Sequence, residues 1–143
     1  MIEAVSARIT PFQFRVRHAV ADHGSGNLLR PTDKMLYAAK YLWYADMTAF
    51  RETGQGMTGA TYAALPHGPQ LNNYADLVDL IREAQEGRAE PLTEHEERIL
   101  ARIAKVFPSN QSIYTAAHKE QAYTSRKNGE LIPYADAERI TAV

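Results

Sequence analysis

A chain of 143 residues is the length of one domain. Sixteen basic against seventeen acidic side chains leave a formal charge of −1, without the basic excess of a nucleic-acid binder. With 45% hydrophobic and 23% charged residues and no cysteine, the composition excludes wholesale disorder, a disulfide scaffold, a thiol nucleophile and a cysteine-based metal site.

Residues 1–8 show no basic region followed by an apolar core, and no apolar run approaches the ~20 residues that span a bilayer. A cytoplasmic location and no membrane partner are therefore expected. The spacing of Phe12, Val16, Ala19 and Val20 predicts a helix over 12–22, with Pro11 in its first turn and His23-Gly24-Ser25-Gly26-Asn27 as its stop.

Thr32 is placed to cap the next helix, with Asp33 in its first turn. Met35, Leu36, Ala39, Leu42, Trp43, Met47 and Phe50 then recur at three- and four-residue steps and predict a helix over 33–52. Tyr37, Tyr41 and Tyr44 run beside that stripe. The helix is apolar around more than half its circumference, so it is expected at the centre of the fold. The tyrosines read first as core; on the surface they would make a protein-binding patch.

Residues 55–69 have no helical period and are punctuated by Gly56, Gly59, Pro66, Gly68 and Pro69; within them only residues 61–65 suggest a strand. Leu77, Val78, Ile81 and Ala84 restore helical spacing over 74–86, stopped by Gly87. Thr93 and Glu96 spell a capping box, followed by Ile99, Leu100, Ile103 and Phe107 as a buried face and Pro108 as a stop. Ser109 or Ser112 can cap a further helix through Ile113, Tyr114 and Ala117 to about Tyr123. Asn128-Gly129 predicts a tight turn with positive φ, residues 130–132 a short extended piece, and residues 135–141 a last helix. The expected fold is mainly α: a single compact helical domain over 1–143, with a short β-hairpin or small sheet around 57–66 and 130–134.

Little in the chain points to catalysis. The histidines His18, His23, His67, His95 and His118 lack the i, i+4 spacing of a helical metal site. Gly54, Gly56 and Gly59 spell GxGxxG, but a helix precedes them and an extended stretch follows, the reverse of the dinucleotide-binding context. No cofactor, no metal and no catalytic residue are expected. His95 reads as solvated in its capping box, and His118 as a structural hydrogen-bonding group. His67 sits in a loop fixed by Gly and Pro; an enzyme or ligand-binding reading there needs a carboxylate, such as Glu52 or Asp46, within about 3 Å. Phe12, Phe14, Arg15 and Arg17 form a small basic and aromatic cluster, a solvated helix face or a partner contact.

Two ordered blocks carry a family resemblance. The first runs from Lys40-Tyr41-Leu42-Trp43-Tyr44-Ala45-Asp46 through Arg51 and Gly54 to Met57-Thr58-Gly59-Ala60-Thr61-Tyr62-Ala63-Ala64-Leu65-Pro66-His67-Gly68-Pro69. The second joins Ala117-His118-Lys119-Glu120-Gln121-Ala122-Tyr123 to Asn128-Gly129-Glu130-Leu131-Ile132-Pro133-Tyr134. Together, over about 30–140, they resemble the Panacea domain of SocA-like, phage-associated GepA-like antitoxins. Departures are His67 where that pattern has Tyr, Ala117 where it has Ser, Tyr123 where it has Trp and Tyr41 where it has Leu. The resemblance implies a small helical antitoxin, often carried by prophages, that neutralises a cognate protein toxin by direct binding. An alternative within the family is an adaptor that delivers its toxin to a protease, with a protease or chaperone as a further partner. It also implies that Trp43, Asp46, Gly59, Tyr62, Pro66, Gly68, Pro69, His118, Gly129, Pro133 and Tyr134 are scaffold residues. Partner contacts are then expected from Phe12, Phe14, Arg15, Arg17, Tyr41 and His67.

Overall fold

The computed structural model describes residues 31–72 and 93–143. The helices expected over 12–22 and 74–86, and the candidate contacts Phe12, Phe14, Arg15 and Arg17, lie outside the described residues.

The apolar stripe of the long central segment becomes α1, Pro31–Thr53. Every residue from 39 to 49 is buried. Leu42, Trp43, Tyr44, Ala45 and Met47 have no solvent exposure at all. Such all-round burial requires neighbours on several sides. Among the described residues they are a helix on Glu94–Val106 (α2), a helix on Asn110–Lys119 (α3), the strand Gly68–Leu71 (β2) and a final 3-10 helix on Tyr134–Arg139. Tyr44 joins the layers, meeting Trp43 at 5.1 Å and Phe107 at 4.7 Å between ring centroids. Gly54, at φ +83°, closes α1 by donating its N–H to the Phe50 carbonyl.

The sheet has three antiparallel strands in the order β2-β1-β3, with β1 on Tyr62–Leu65 and β3 on Leu131–Ile132. Tyr62 faces Leu71 on one side and Ile132 on the other, so β1 is central. The expected strand over 61–65 is thus present, and the extended piece near 130–132 joins it. The strand β2 departs from the sequence reading, which took its Gly-Pro start for loop. It holds because β2 is an edge strand, where the amide that Pro69 lacks is not needed by a second ladder.

Thr93 caps α2 as a reciprocal box: its hydroxyl accepts from the Glu96 amide at 3.2 Å, and Glu96 accepts from the Thr93 amide at 2.9 Å. Thr93→Ala should cost about 1 kcal/mol in urea unfolding, with Thr93→Ser nearly neutral. Ser109 and Ser112 divide the same work at the start of α3.

Two helices end differently from the sequence reading. The run expected to reach Tyr123 breaks at Glu120, whose backbone is extended (φ −67°, ψ 134°), and a single turn, α4 on Gln121–Thr124, follows. The last helix is 3-10, not α, and stops at Arg139, leaving Ile140 extended. Both departures have one cause. The Glu120 carboxylate is turned into the core, where it accepts from Thr141 and Ala142 and holds the chain after Arg139 straight.

Candidate functional site: a buried polar core

Three buried polar centres lie along α1 and between them engage most of the motif residues. The first is Asp46, fully buried. Its Oδ1 accepts from the amides of Thr58 at 2.6 Å and Gly59 at 3.4 Å. Its Oδ2 accepts from the hydroxyls of Thr58 at 2.5 Å and Tyr62 at 2.6 Å. Burial raises the Asp46 pKa above the ordinary carboxylate range, against the opposing pull of these donors. Burial also holds the Tyr62 and Tyr134 hydroxyls well above their usual range, with the nearby Asp46 adding to it. Gly56 is needed beside this centre, because a Cβ there would stand 3.0 Å from the Tyr134 ring and 3.2 Å from Asp46 Oδ1. Tyr134 crosses to donate to the Ala60 carbonyl at 2.7 Å and packs on Phe50.

The second centre is Glu120, which accepts from the Tyr44 hydroxyl at 2.9 Å, the Thr141 amide at 2.9 Å and the Thr141 hydroxyl at 2.7 Å. Arg51 extends the clasp by donating to the carbonyls of Ile140 and Val143. Burial, reinforced by Glu120, raises the Tyr44 pKa.

The third centre is cationic. Lys40 has no solvent exposure; its ammonium lies 3.4 Å from the Leu36 carbonyl and 5.3 Å from the centre of the Tyr114 ring. Burial lowers its pKa to about 7. Beside it, His118 places Nδ1 2.7 Å from the Tyr114 carbonyl and stacks on the Tyr114 ring at 4.1 Å. Gly68 closes over both side chains at φ +99°, a conformation glycine adopts without penalty.

The structure does not assemble a catalytic group around His67. That side chain is exposed in the two-residue turn between β1 and β2, and no carboxylate among the described residues is hydrogen-bonded or ion-paired to it. Asp46 is engaged as described. Glu52 pairs with Arg102 at 2.6 Å and stands a loose 3.5 Å from His95, and the Arg102 hydrogen bond lowers its pKa. Tyr41 is 5% exposed; the candidate contact therefore lies in the core and presents no free surface. Among the described residues, no group of three or more His, Asp or Glu is placed to hold a metal, and no helix is long and apolar enough to cross a membrane.

The remaining motif residues fall as follows. Trp43 and Pro69 are buried, Pro66 and Pro133 are exposed, and Gly59 and Gly129 take φ of +75° and +88° with open space where a side chain would begin. Lys40 and Glu120 belong to the motif blocks, and their burial is a finding of the structure. The available signal for Lys40 was its position within the apolar stripe, four residues after Leu36 and three before Trp43.

No curated protein and no solved structure matches the chain. Residues 39–133 match the family described as antitoxin SocA-like, Panacea domain. That span runs from the buried centre of α1 through the hairpin and α3 to the end of β3, and so contains Asp46, Glu120 and the Lys40–His118 pair. The chain belongs to the SocA-like antitoxin, Panacea domain family.

Proposed function

We propose that this protein is the antitoxin of a toxin–antitoxin pair, and that it neutralises one cognate protein toxin by direct, non-enzymatic contact in the cytoplasm. The observation that carries the reading is the family match across residues 39–133. The geometry supports it in one respect. The motif residues that could have served chemistry are engaged inside the scaffold, so the choice of toxin falls to surface residues. Phe12, Phe14, Arg15 and Arg17 are the proposed contacts, with His67 on the exposed turn as a further one.

The test is co-expression. The gene beside this one is placed under an inducible promoter, and surviving colonies are counted with and without this protein. Killing by the neighbour alone and rescue by co-expression is the expected result; killing without rescue overturns the reading. Toxin that accumulates in rescued cells marks sequestration, whereas toxin that disappears marks delivery to a protease. A chain lacking residues 1–22 should remain folded by circular dichroism, with a helical spectrum and a cooperative melt, but lose rescue.

A further inference from the structure

Asn128 is the one asparagine in the sequence followed by glycine, a pair prone to losing its side-chain amide because glycine leaves the next backbone nitrogen unhindered. Both residues are exposed, between α4 and β3. They form the corner of a turn over residues 127–130, closed by the Glu130 amide donating to the Lys127 carbonyl at 3.0 Å. Gly129 alone in that turn has positive φ, +88°, which makes the turn type II. The Glu130 carboxylate ties it a second time, accepting from the Lys127 amide at 2.9 Å.

The same glycine fastens the turn to the sheet. Its N–H donates to the Ala64 carbonyl at 2.6 Å, and the Ala64 amide donates back to the Glu130 carbonyl at 2.8 Å. These two bonds extend the contact with β1 past the two residues of β3 and into the turn. Loss of the Asn128 amide begins with attack by the Gly129 nitrogen, which must shed its proton and swing toward the Asn128 side chain. A proton held by Ala64 is shielded from base, as a protected amide is in hydrogen exchange. The reaction is therefore confined to molecules in which the turn has lifted from β1.

We propose that Asn128–Gly129 is a self-modification site latched by Ala64, and that its conversion unfastens the turn and β3 from the sheet. In the opened turn the Gly129 nitrogen gives up its proton and bonds to Asn128 Cγ. The Cγ–Nδ2 bond breaks, and Nδ2 leaves with a proton as ammonia. Water then opens the five-membered imide at either carbonyl. One product is aspartate at 128, with the backbone unchanged. The other is isoaspartate, in which the chain runs through the side-chain CH2, so the turn gains one backbone carbon just before Gly129. The lengthened turn cannot keep the register of both Ala64 bonds, and only the short ladder of Leu131 and Ile132 on Ala63 and Tyr62 then holds β3 to β1. The site rests on the sheet alone and is independent of the antitoxin reading.

The test is prolonged incubation of the full chain at neutral pH, in buffer and in guanidinium chloride. Mass spectrometry of the peptide carrying residue 128 reads conversion as a gain of about 1 Da. Conversion in buffer should be measurable but at least about tenfold slower than in guanidinium, where no latch exists. Glu130→Ala, which removes the tie to Lys127, should speed conversion in buffer several-fold and leave the guanidinium rate nearly unchanged. Isoaspartyl molecules, separated by chromatography, should melt below fresh protein. Asn128→Asp, which carries the new charge on an unchanged backbone, should melt close to wild type. Equal rates in buffer and guanidinium overturn the proposal, as do an absence of conversion in buffer, a Glu130→Ala rate in buffer no faster than wild type, and isoaspartyl molecules that melt like fresh protein. The rates and the melt of the aged chain are read on the wild type, so a variant that fails to fold leaves the proposal open to refutation.

Discussion

Asp46→Ala should lose on the order of 3–5 kcal/mol of unfolding free energy, a large part of the 5–15 kcal/mol typical of a domain. The substitution removes the acceptor for two amides and two hydroxyls at a position with no solvent to replace it. Each stranded buried donor costs about 1–3 kcal/mol, and the hydroxyls recover part of this by turning. Asp46→Asn should lose clearly less. Its oxygen still accepts from the Thr58 and Gly59 amides, and its NH2 faces two hydroxyls able to accept. Tyr62→Phe, which removes one donor, should cost about 1 kcal/mol. Urea unfolding of the three variants checks the order. Equal losses for Ala and Asn would show that the charge of Asp46, and not its acceptor geometry, holds the 57–62 segment to α1.

Stability should rise as the pH climbs from about 7 toward 9, and Lys40→Met should abolish the rise. Burial brings the folded-state pKa of Lys40 to about 7 from an ordinary 10.5. Between those values the unfolded chain binds more protons than the folded one, so unfolding free energy increases with pH. Each unit of difference is worth about 1.4 kcal/mol, so the wild type should gain roughly 2–3 kcal/mol between pH 7 and 9. Below pH 7 the lysine is charged in both states and the penalty is constant. Above about pH 10 the trend reverses: Tyr44, Tyr62 and Tyr134 stay protonated in the fold while the unfolded tyrosines ionise. Lys40→Met should therefore be more stable than wild type at pH 6, with the gap narrowing by roughly 2–3 kcal/mol by pH 9. Chemical unfolding at four pH values between 6 and 9 reads both effects, and a flat wild-type profile would refute the argument.

Helices and caps were readable because they depend on neighbours three and four residues apart. The apolar stripe of α1, the Thr93–Glu96 box and the positive φ of Gly129 are all local facts. β2 was hidden because Gly68 and Pro69 carry turn chemistry, and only its edge position makes a strand of them. The break at Glu120 was hidden for a different reason. Glutamate suits a helix, and what pulls it out is a hydroxyl 76 positions earlier, on Tyr44. The resemblance brought Asp46, Tyr62, Gly68 and His118 into view as motif residues, but their partners come from distant stretches of chain. The pairing of Lys40 with His118 under Gly68 joins three elements, and no local spacing announces it.

The Glu120 clasp has a kinetic consequence. It ties α1, the α3–α4 break and the segment after Arg139 into one knot of hydrogen bonds, and it can close only after the chain between Tyr44 and Thr141 has been drawn together. Contacts with such long loops are costly to form early, so the clasp belongs to the downhill side of the folding barrier. Interactions made after the barrier set how slowly a protein comes apart rather than how fast it assembles. Glu120 thus acts as a brake on unfolding. It extends the lifetime of the native chain, and with it the time the chain withstands the proteases that clear partly opened molecules.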